Sequence, residues 1–210
     1  MKPKPVIVGM VGARFAADFH LENYRRVHGI EVRIKGVTSK EYVSASEFAR
    51  RHELEVVYPS VNELLADPEI NLVDLCVPNY LHHPLTLQAA SAGKHIVCEK
   101  PLTGYFGSGG EKLVGKETPR QEMFNQALKA ADEMVAVVEE NEVTLCYGEN
   151  WVYAPNIQKA DHILSQSDNT IMRFVGEESH SGTHSEYAKI WRFGGGGSLF
   201  NKGCHPLGGI

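Results

Sequence analysis

The sequence contains few cysteines, and none lies in a pattern typical of a disulfide framework or a metal site. The four cysteines among 210 residues, Cys76, Cys98, Cys146 and Cys204, are far apart. The first three lie in apolar runs that resemble strands. Because structural zinc sites use closely spaced ligand pairs, we expect no bound metal and interpret these residues as reduced thiols in the core or near a site.

The sequence also lacks a basic run and a long apolar segment. It has 21 basic against 26 acidic residues, which argues against a nucleic-acid partner. No stretch approaches the roughly 18 apolar residues that a transmembrane helix needs, so we expect no membrane partner. Residues 1–5 lead into a strand-like run instead of a signal peptide. We therefore expect a soluble, cytoplasmic protein.

The chain does contain a regular alternation of short apolar runs and helical patterns. The runs with the length and composition of buried strands are 6–11, 32–37, 56–58, 72–77, 95–98 and 143–147. Between them, Ser60 and Glu63 form a capping box at a helix start, and Gly93 ends a helix predicted over 83–92. This order predicts an α/β fold with a doubly wound, mostly parallel (Rossmann) sheet, in which ligands lie at the carboxyl ends of the strands.

The composition changes twice along the chain. Residues 104–121 are rich in glycine and interrupt the alternation, so we interpret them as an inserted loop. Later in the chain, a helix is predicted over 157–164 and a strand over 170–177. We therefore expect a dinucleotide-binding Rossmann domain over 1–149 and the beginning of a substrate-binding α+β domain over 150–210.

The first strand ends in a turn that partly matches a phosphate-binding loop. Gly12 and the small residue Ala17 occupy the first and third positions of the glycine fingerprint, whereas Arg14 occupies the second. An arginine side chain there would contact phosphate by charge. We predict cofactor contacts from Gly12, Ala13, Arg14 and Phe15; an ordinary turn between strand and helix is the alternative.

The turn after the second strand is expected to distinguish the two nicotinamide dinucleotides. An acid there suits a free ribose 2′-hydroxyl, and a basic group beside a small residue suits a 2′-phosphate. Ser39 and Lys40 occupy this turn, so we expect both to contact the cofactor and NADP to be preferred over NAD. A solvated loop lysine is the alternative interpretation of Lys40.

Motifs along the whole chain match one enzyme family. In order they read "GARFAADFH", "CVPNYLHHPLTLQAASAGKHIVCEKPL" and "GGGGSLFNKGCHP". With them the chain resembles the glucose-fructose oxidoreductase and inositol dehydrogenase family, usually called Gfo/Idh/MocA. The most specific part runs from Ala92 through Glu99, Lys100 and Pro101. The resemblance implies an oxidoreductase that uses NADP or NAD on a sugar or polyol.

The same resemblance implies a role for Lys100. In this family the lysine lies beside the nicotinamide and donates a hydrogen bond to the reacting hydroxyl of the substrate, and the peptide before Pro101 is often cis. Glu99 is expected to hold or orient Lys100. A surface Glu-Lys pair following a strand is the alternative interpretation of this tripeptide.

His205 is the second catalytic residue that the resemblance implies. The family usually has an aspartate four residues before this acid/base histidine, whereas this chain has Asn201, which cannot stabilise an imidazolium by charge. The substitution puts the usual proton relay in doubt, so proton transfer is expected to depend mainly on Lys100 and His205. Because Pro206 is tolerated only in a first helical turn, we expect a helix to begin there.

Further contacts follow from the resemblance and from position in the predicted fold. Pro78, Asn79, His82 and Glu99 are expected near the cofactor, although His82 is also explained by packing. The residues expected to face the substrate are Asn150, Tyr153, His180 and Trp191. His180 and His184 alternate with serine and glycine and lack the helical context of a His-x-x-x-His zinc motif, so sugar hydroxyls are the expected partners.

Three functions are compatible with these motifs. The first is hydride transfer between a nicotinamide and a secondary hydroxyl or ketone carbon of a carbohydrate. The alternatives are a nucleotide-sensing or scaffold relative without chemistry, favoured by Arg14 and Asn201, and glycoside cleavage by transient oxidation. Because family members carry a larger second domain, we expect the chain to be truncated, and a homo-oligomer (dimer or tetramer) at full length.

Overall fold

The computed structural model describes residues 4–179, 181–182 and 185–209. Its strands are β1 (Val6–Val11), β2 (Val32–Thr38), β3 (Val56–Val57), β4 (Leu72–Leu75), β5 (His95–Cys98) and β6 (Leu145–Tyr147). They form one 6-stranded sheet in the order β3-β2-β1-β4-β5-β6, and each neighbouring pair is parallel. The predicted doubly wound sheet is confirmed.

The helices follow the predicted alternation. They are α1 (Phe15–Tyr24), α2 (Tyr42–His52), α3 (Val61–Ala66), α4 (His82–Ser91), α5 (Val114–Glu117), α6 (Arg120–Glu140), α7 (Pro155–Ser165), α8 (Trp191–Gly194) and α9 (Ser198–Gly208). The Ser60 hydroxyl accepts a hydrogen bond from the Glu63 amide at 3.2 Å, as the capping pattern predicts. Gly93 follows α4 with a φ of 69°, a left-handed conformation that favours glycine.

Helices cover both faces of the sheet, which explains why most strand residues are apolar. On one face, Met10 of β1 packs in a cluster with Phe48 of α2. On the other face, Val73 and Ile96 pack in a cluster with Met134 of α6. A strand that is buried on both sides needs apolar residues at successive positions, and this produces the continuous runs seen in the sequence.

Two predictions in the second half of the chain are wrong. Residues 170–177 form no strand, and none of the described residues after Tyr147 lies in one. A strand requires a neighbouring strand to pair its backbone groups, and the described residues in this region supply none. The helix containing Pro206 begins at Ser198 instead of at the proline. Pro206 lies in the last turn and has no backbone N–H, so α9 lacks the hydrogen bond that this position would make to the carbonyl of Lys202.

No helix in the described part of the chain is both long and apolar enough to cross a membrane.

Candidate functional site at the carboxyl ends of the strands

The strand register brings the ends of the central strands to one edge of the sheet. Val11 pairs with both Thr38 and Leu75, and Leu75 pairs in turn with Cys98. The residues that follow these strands therefore lie side by side. A cleft of about 1490 Å³ opens at this edge, between the sheet and the described residues of 176–207. The lining residues include Phe15, Asn79, Glu99, Lys100, Trp191 and Asn201.

Gly12 shapes the turn between β1 and α1. It has a φ of 114°, and a Cβ atom at this position would lie 2.1 Å from the carbonyl oxygen of Cys76. Only glycine allows this approach between the turn and the end of β4. Ala13 is buried, while Arg14 is exposed at the N-cap of α1 and Phe15 is 83% exposed at the cleft. No side chain caps α1 at Arg14, so the amides of its first turn are open to a ligand.

The turn between β2 and α2 contains an acid that the sequence interpretation left out. Ser39 is partly buried and Lys40 is exposed, as expected of a loop. However, α2 begins only at Tyr42, so the exposed Glu41 also belongs to this turn. Lys40 and Glu41 therefore place a positive and a negative charge in the turn that is expected to contact the ribose 2′ position. The negative charge weakens the argument for NADP.

Asn79 and His82 both follow β4, but only Asn79 lies at the cleft. Asn79 lines the cleft, and its amide donates to the Gly194 carbonyl at 2.8 Å and to Oδ1 of Asn201 at 3.2 Å. Pro78 precedes it at the start of a single 3₁₀ turn. His82 has no exposed surface, and its ring nitrogens face the carbonyl oxygens of Pro101 and Val77. The structure therefore places His82 inside the protein and not at the cleft. There it connects the turn at Val77 with the turn at Pro101.

Lys100 extends from the end of β5 into the cleft. The peptide between Lys100 and Pro101 is cis, in agreement with the resemblance. The Lys100 ammonium donates to the backbone carbonyl of Asn201 at 3.2 Å. Glu99 accepts a hydrogen bond from the Lys100 backbone amide at 2.8 Å. Glu99 thus holds the backbone of Lys100, while Asn201 contacts its ammonium.

A charged cluster beneath Lys100 was not predicted. The two ring nitrogens of His20 on α1 lie 2.9 Å from a carboxylate oxygen of Asp74 and 3.0 Å from Glu99. Burial lowers the pKa of His20, but the bonds to Asp74 and Glu99 outweigh it and raise this pKa to about 10. Burial likewise raises the pKa of Glu99, and the bond to His20 reverses this, so that the net shift is downward. His20 is therefore an imidazolium at neutral pH.

His205 has a carboxylate partner, although the asparagine at position 201 does not supply it. Its Nδ1 lies 2.5 Å from Oε1 of Glu149, which is 3% exposed, and its ring stacks on Trp151 at 5.8 Å. Glu149 also accepts hydrogen bonds from the amides of Trp151 and Val152. Glu149 thus supplies the carboxylate whose absence at Asn201 put the relay in doubt. His205 itself is 7% exposed, below the surface of α9.

The residues expected to face the substrate are not brought together. Trp191 lines the cleft, and its indole N–H donates to the Tyr105 carbonyl at 2.8 Å. Asn150 and Tyr153 are exposed in a short turn before α7 and do not line the cleft. His180 and His184 lie outside the described residues.

Sequence reasoning missed His20 and the role of Glu149, and a local signal existed for only one of them. Glu149 stands in "GENW" directly after the last strand, where a site residue is expected. His20 follows the glycine turn as one position of a helix. Its contacts with Asp74 and Glu99 span 54 and 79 residues, which no local pattern reveals.

Comparison with known proteins gives a family match over the first half of the chain. Residues 6–113 match the model Gfo/Idh/MocA, described as an oxidoreductase family with an NAD-binding Rossmann fold. The levoglucosan dehydrogenase of Pseudarthrobacter phenanthrenivorans is 35% identical over 102 residues, which are 45% of this chain and 26% of that protein. The 1,5-anhydro-D-fructose reductase of Ensifer adhaerens is 37% identical over 94 residues, 45% of this chain and 28% of that protein.

A solved structure extends the likeness to the second half of the chain. GenD2 from gentamicin A biosynthesis, in complex with NAD, has a TM-score of 0.76 at 22% identity and matches 99% of this chain. At this identity the likeness concerns the fold alone. The match covers 53% of GenD2, so this chain spans about half the length of that protein.

Proposed function

Because the chain belongs to the Gfo/Idh/MocA oxidoreductase family, we propose that it is an NAD(P)-dependent dehydrogenase or reductase acting on a secondary hydroxyl or ketone of a carbohydrate. The observation that carries the proposal is the position of the Lys100 ammonium. It lies in the cleft at the carboxyl end of β5, 3.2 Å from the Asn201 carbonyl. When bound, the dinucleotide supplies the hydride chemistry.

The open end of α1 supports dinucleotide binding. Gly12 permits the close turn, and the amides of the first turn of α1 have no side-chain cap at Arg14. The amides and partial positive charge of a helix start suit a pyrophosphate, and the exposed Arg14 adds a full charge. The neighbouring turn with Ser39, Lys40 and Glu41 would hold the adenosine ribose.

The preference between NADP and NAD depends on Lys40 and Glu41. Lys40 favours a 2′-phosphate, and Glu41 favours a free 2′-hydroxyl. We propose that Lys40→Asp shifts preference towards NADH and that Glu41→Gln shifts it towards NADPH. Titration of each variant with both reduced cofactors measures the shift; unchanged ratios in both variants would remove this turn from the ribose site.

Lys100 and His205 would handle the proton of the reacting hydroxyl. A secondary alcohol becomes a ketone only as its hydroxyl proton leaves, so a positioned proton acceptor is needed. Lys100 reaches the cleft directly and would contact the hydroxyl. His205, oriented by Glu149, would exchange the proton from beneath, and Asn201 would keep the ammonium in place through its carbonyl.

The proposed carbohydrate class rests on the relatives and on the lining of the cleft. The matched enzymes named above act, by their names, on levoglucosan and on 1,5-anhydro-D-fructose. The cleft here combines aromatic residues such as Trp191 with polar residues such as Asn201 and Lys202. Aromatic faces and hydrogen-bonding groups together suit a sugar ring.

We also propose that a second domain begins at Asn150 and that the full protein is a cytoplasmic homo-oligomer. The exposed apolar side chains of α7 and of residues 171–175 favour further packing partners. The oligomeric state of the protein, measured by light scattering, tests this part of the proposal.

The proposal is tested by replacing Lys100. Lys100→Ala should lower kcat on an identified carbohydrate about a hundredfold or more, roughly 3 kcal/mol, with cofactor affinity within about threefold. Lys129→Ala, an exposed substitution on α6, is the matched control and should leave both unchanged. Full turnover by Lys100→Ala would exclude its catalytic role.

A non-catalytic nucleotide sensor is the second candidate, favoured by Arg14 in the glycine turn and by the burial of His205. Binding of NAD(P)H without turnover of any sugar, polyol or glycoside by the unmutated protein would establish it. Analysis of products on glycosides separates direct oxidation from cleavage by transient oxidation.

A further inference from the structure

We infer that His20 is a positioning residue: its imidazolium holds the Glu99 carboxylate on the backbone amide of Lys100 and thereby fixes the turn that presents the Lys100 ammonium. The inference rests on the proposed function for its catalytic consequence. Its structural part concerns only the contacts of α1 with the ends of β4 and β5.

The contacts of both ring nitrogens favour a protonated ring. Asp74 has no exposed surface and the Glu99 side chain is 21% exposed, so both carboxylates are largely withdrawn from water. A neutral imidazole has one N–H and can donate to one of them only. The imidazolium donates to both, which satisfies two carboxylates that would otherwise be costly to bury.

The same carboxylate joins His20 to the catalytic turn. Oε1 of Glu99 lies 3.0 Å from His20 Nε2, and its Oε2 accepts the Lys100 amide at 2.8 Å. With one oxygen held by the ring, the other cannot rotate away from the amide. Without His20, Glu99 is free to turn into the cleft that it lines, and the backbone of Lys100 loses its acceptor.

The other titratable groups around His20 do not replace its charge. Cys76 lies 3.5 Å from the ring, and burial keeps the pKa of its thiol well above the usual value. Tyr24 contacts Asp74, and burial raises its pKa as well, so both groups are neutral. Lys100 acts on Glu99 through charge, but its ammonium bonds to Asn201. In the absence of His20, the pKa of Glu99 should therefore rise.

The test compares two matched histidine variants. His20→Gln removes the imidazolium. His83→Gln is the control: it removes the ring of His83 on α4, which lies 2.8 Å from Glu133 on α6 near the surface. We expect His20→Gln to lower kcat about tenfold or more, with cofactor affinity within about threefold. Because Glu99 would then be protonated at a higher pH, the fall in kcat on the acid side of the pH profile should also move to higher pH. His83→Gln should match the unmutated protein in all three measurements.

A second variant and a spectroscopic measurement keep the inference testable if His20→Gln does not fold. Glu99→Gln retains an oxygen for the Lys100 amide but removes the titrating carboxylate, so the shift of the acid-side fall in kcat should not appear. The ring signals of His20 in a proton NMR titration, assigned by their absence in His20→Gln, should stay those of an imidazolium to above about pH 8.

The possible outcomes separate this inference from the proposed function. Titration of His20 near the ordinary histidine pKa, or a kcat profile of His20→Gln equal to that of His83→Gln, would overturn the inference and leave the function standing. A persistent imidazolium in a protein with no turnover would overturn the function but support the cluster.

One nitrogen of His20, one oxygen of Asp74 and the sulfur of Cys76 lie within 4.8 Å of one another. Stoichiometric zinc binding that removes the imidazolium signal would therefore also overturn the inference.

Discussion

Residues 4–149 and the described residues of 150–209 are held in place by different forces. Every buried apolar side chain in the described chain lies between Ile7 and Met134. The later region exposes its apolar residues instead, including Met172 at 91%, Leu199 at 85% and Val175 at 67%. Hydrophobic burial therefore stabilises the sheet and its helices, and it contributes little inside the later region.

Hydrogen bonds attach the later region to the earlier one, and they are concentrated around the cleft. The carbonyl of Gly194 accepts from Asn79, the carbonyl of Asn201 accepts from Lys100, and His205 pairs with Glu149. Each of these earlier residues follows a strand of the sheet. The difference teaches that the core sets the stability of the fold, while the polar contacts set the geometry of the site.

The largest effect is expected from a matched pair of phenylalanine substitutions, one in each region. Phe48 has no exposed surface, whereas Phe174 is 40% exposed. Phe48→Ala should lower the free energy of unfolding by about 3–5 kcal/mol through lost burial and a cavity. Phe174→Ala should cost less than about 1 kcal/mol. Urea unfolding followed by circular dichroism measures both.

Equal losses of unfolding free energy in the two variants would contradict the difference between the regions. They would show that the later region has a core comparable to that of the sheet. A larger loss from Phe174→Ala would reverse it.

A smaller effect is expected where the two regions meet. Asn79 is 7% exposed and donates to Gly194 and Asn201, so Asn79→Ala leaves the buried Gly194 carbonyl without this donor. The cost should be about 1–3 kcal/mol. Hydrogen exchange should quicken in α8 and α9 and stay unchanged in β1 and β4. Asn62→Ala, at an exposed position of α3, is the control and should alter neither. Uniform acceleration across the sheet would show that Asn79 belongs to the core.

The difference between the regions also explains how much the sequence could predict. The strands and the glycine turn depend on local pattern, since burial on both faces and a close backbone approach each require particular residues in sequence. The cis peptide before Pro101 agreed with the family motif. By contrast, the strand expected over 170–177 failed because a strand depends on a partner, which no local pattern supplies.

The candidate site was predictable only in part for the same reason. Lys100 and Asn79 line the cleft because each follows a strand end, which is a property of the topology. The partners of the charged groups are long-range contacts. Sequence reasoning considered position 201 for the carboxylate near His205, but the side chain that pairs with it is Glu149, 56 positions away. Helical spacing identifies neighbours on one helix and not the residue that packs against it.

A weaker effect, confined to acid, is expected from Asp67 in the earlier region. Ion pairing with Lys35 at 2.7 Å and a hydrogen bond from Tyr58 at 2.6 Å lower the pKa of Asp67 from 3.8 to about 2. The resulting stability is present above pH 3.8 and is lost as the pH falls through about 2. Asp67→Asn should thus cost about 1 kcal/mol at neutral pH and clearly less near pH 2, in urea titrations at each pH.

The matched control for that prediction is Asp168→Asn, at an exposed position of the later region. It should change the unfolding midpoint at neither pH. A loss at pH 2 equal to the loss at neutral pH would show that Asp67 stabilises the fold by packing and not by charge.

The smallest effect is expected at Asn201, where the usual carboxylate of the family is missing. Asn201 Oδ1 accepts from Asn79, a role that aspartate would keep. The other end of the amide faces the carbonyl oxygens of Gly196 at 3.5 Å and Gly197 at 3.3 Å, and a second carboxylate oxygen would be repelled there. Because Glu149 already pairs with His205, Asn201→Asp should change kcat by less than about threefold and lower stability by less than about 1 kcal/mol. Steady-state kinetics and urea unfolding measure the two. A rise in kcat of about tenfold or more would instead show that Glu149 does not replace the carboxylate usual at position 201. It would also show that Asn201 limits the activity of the site.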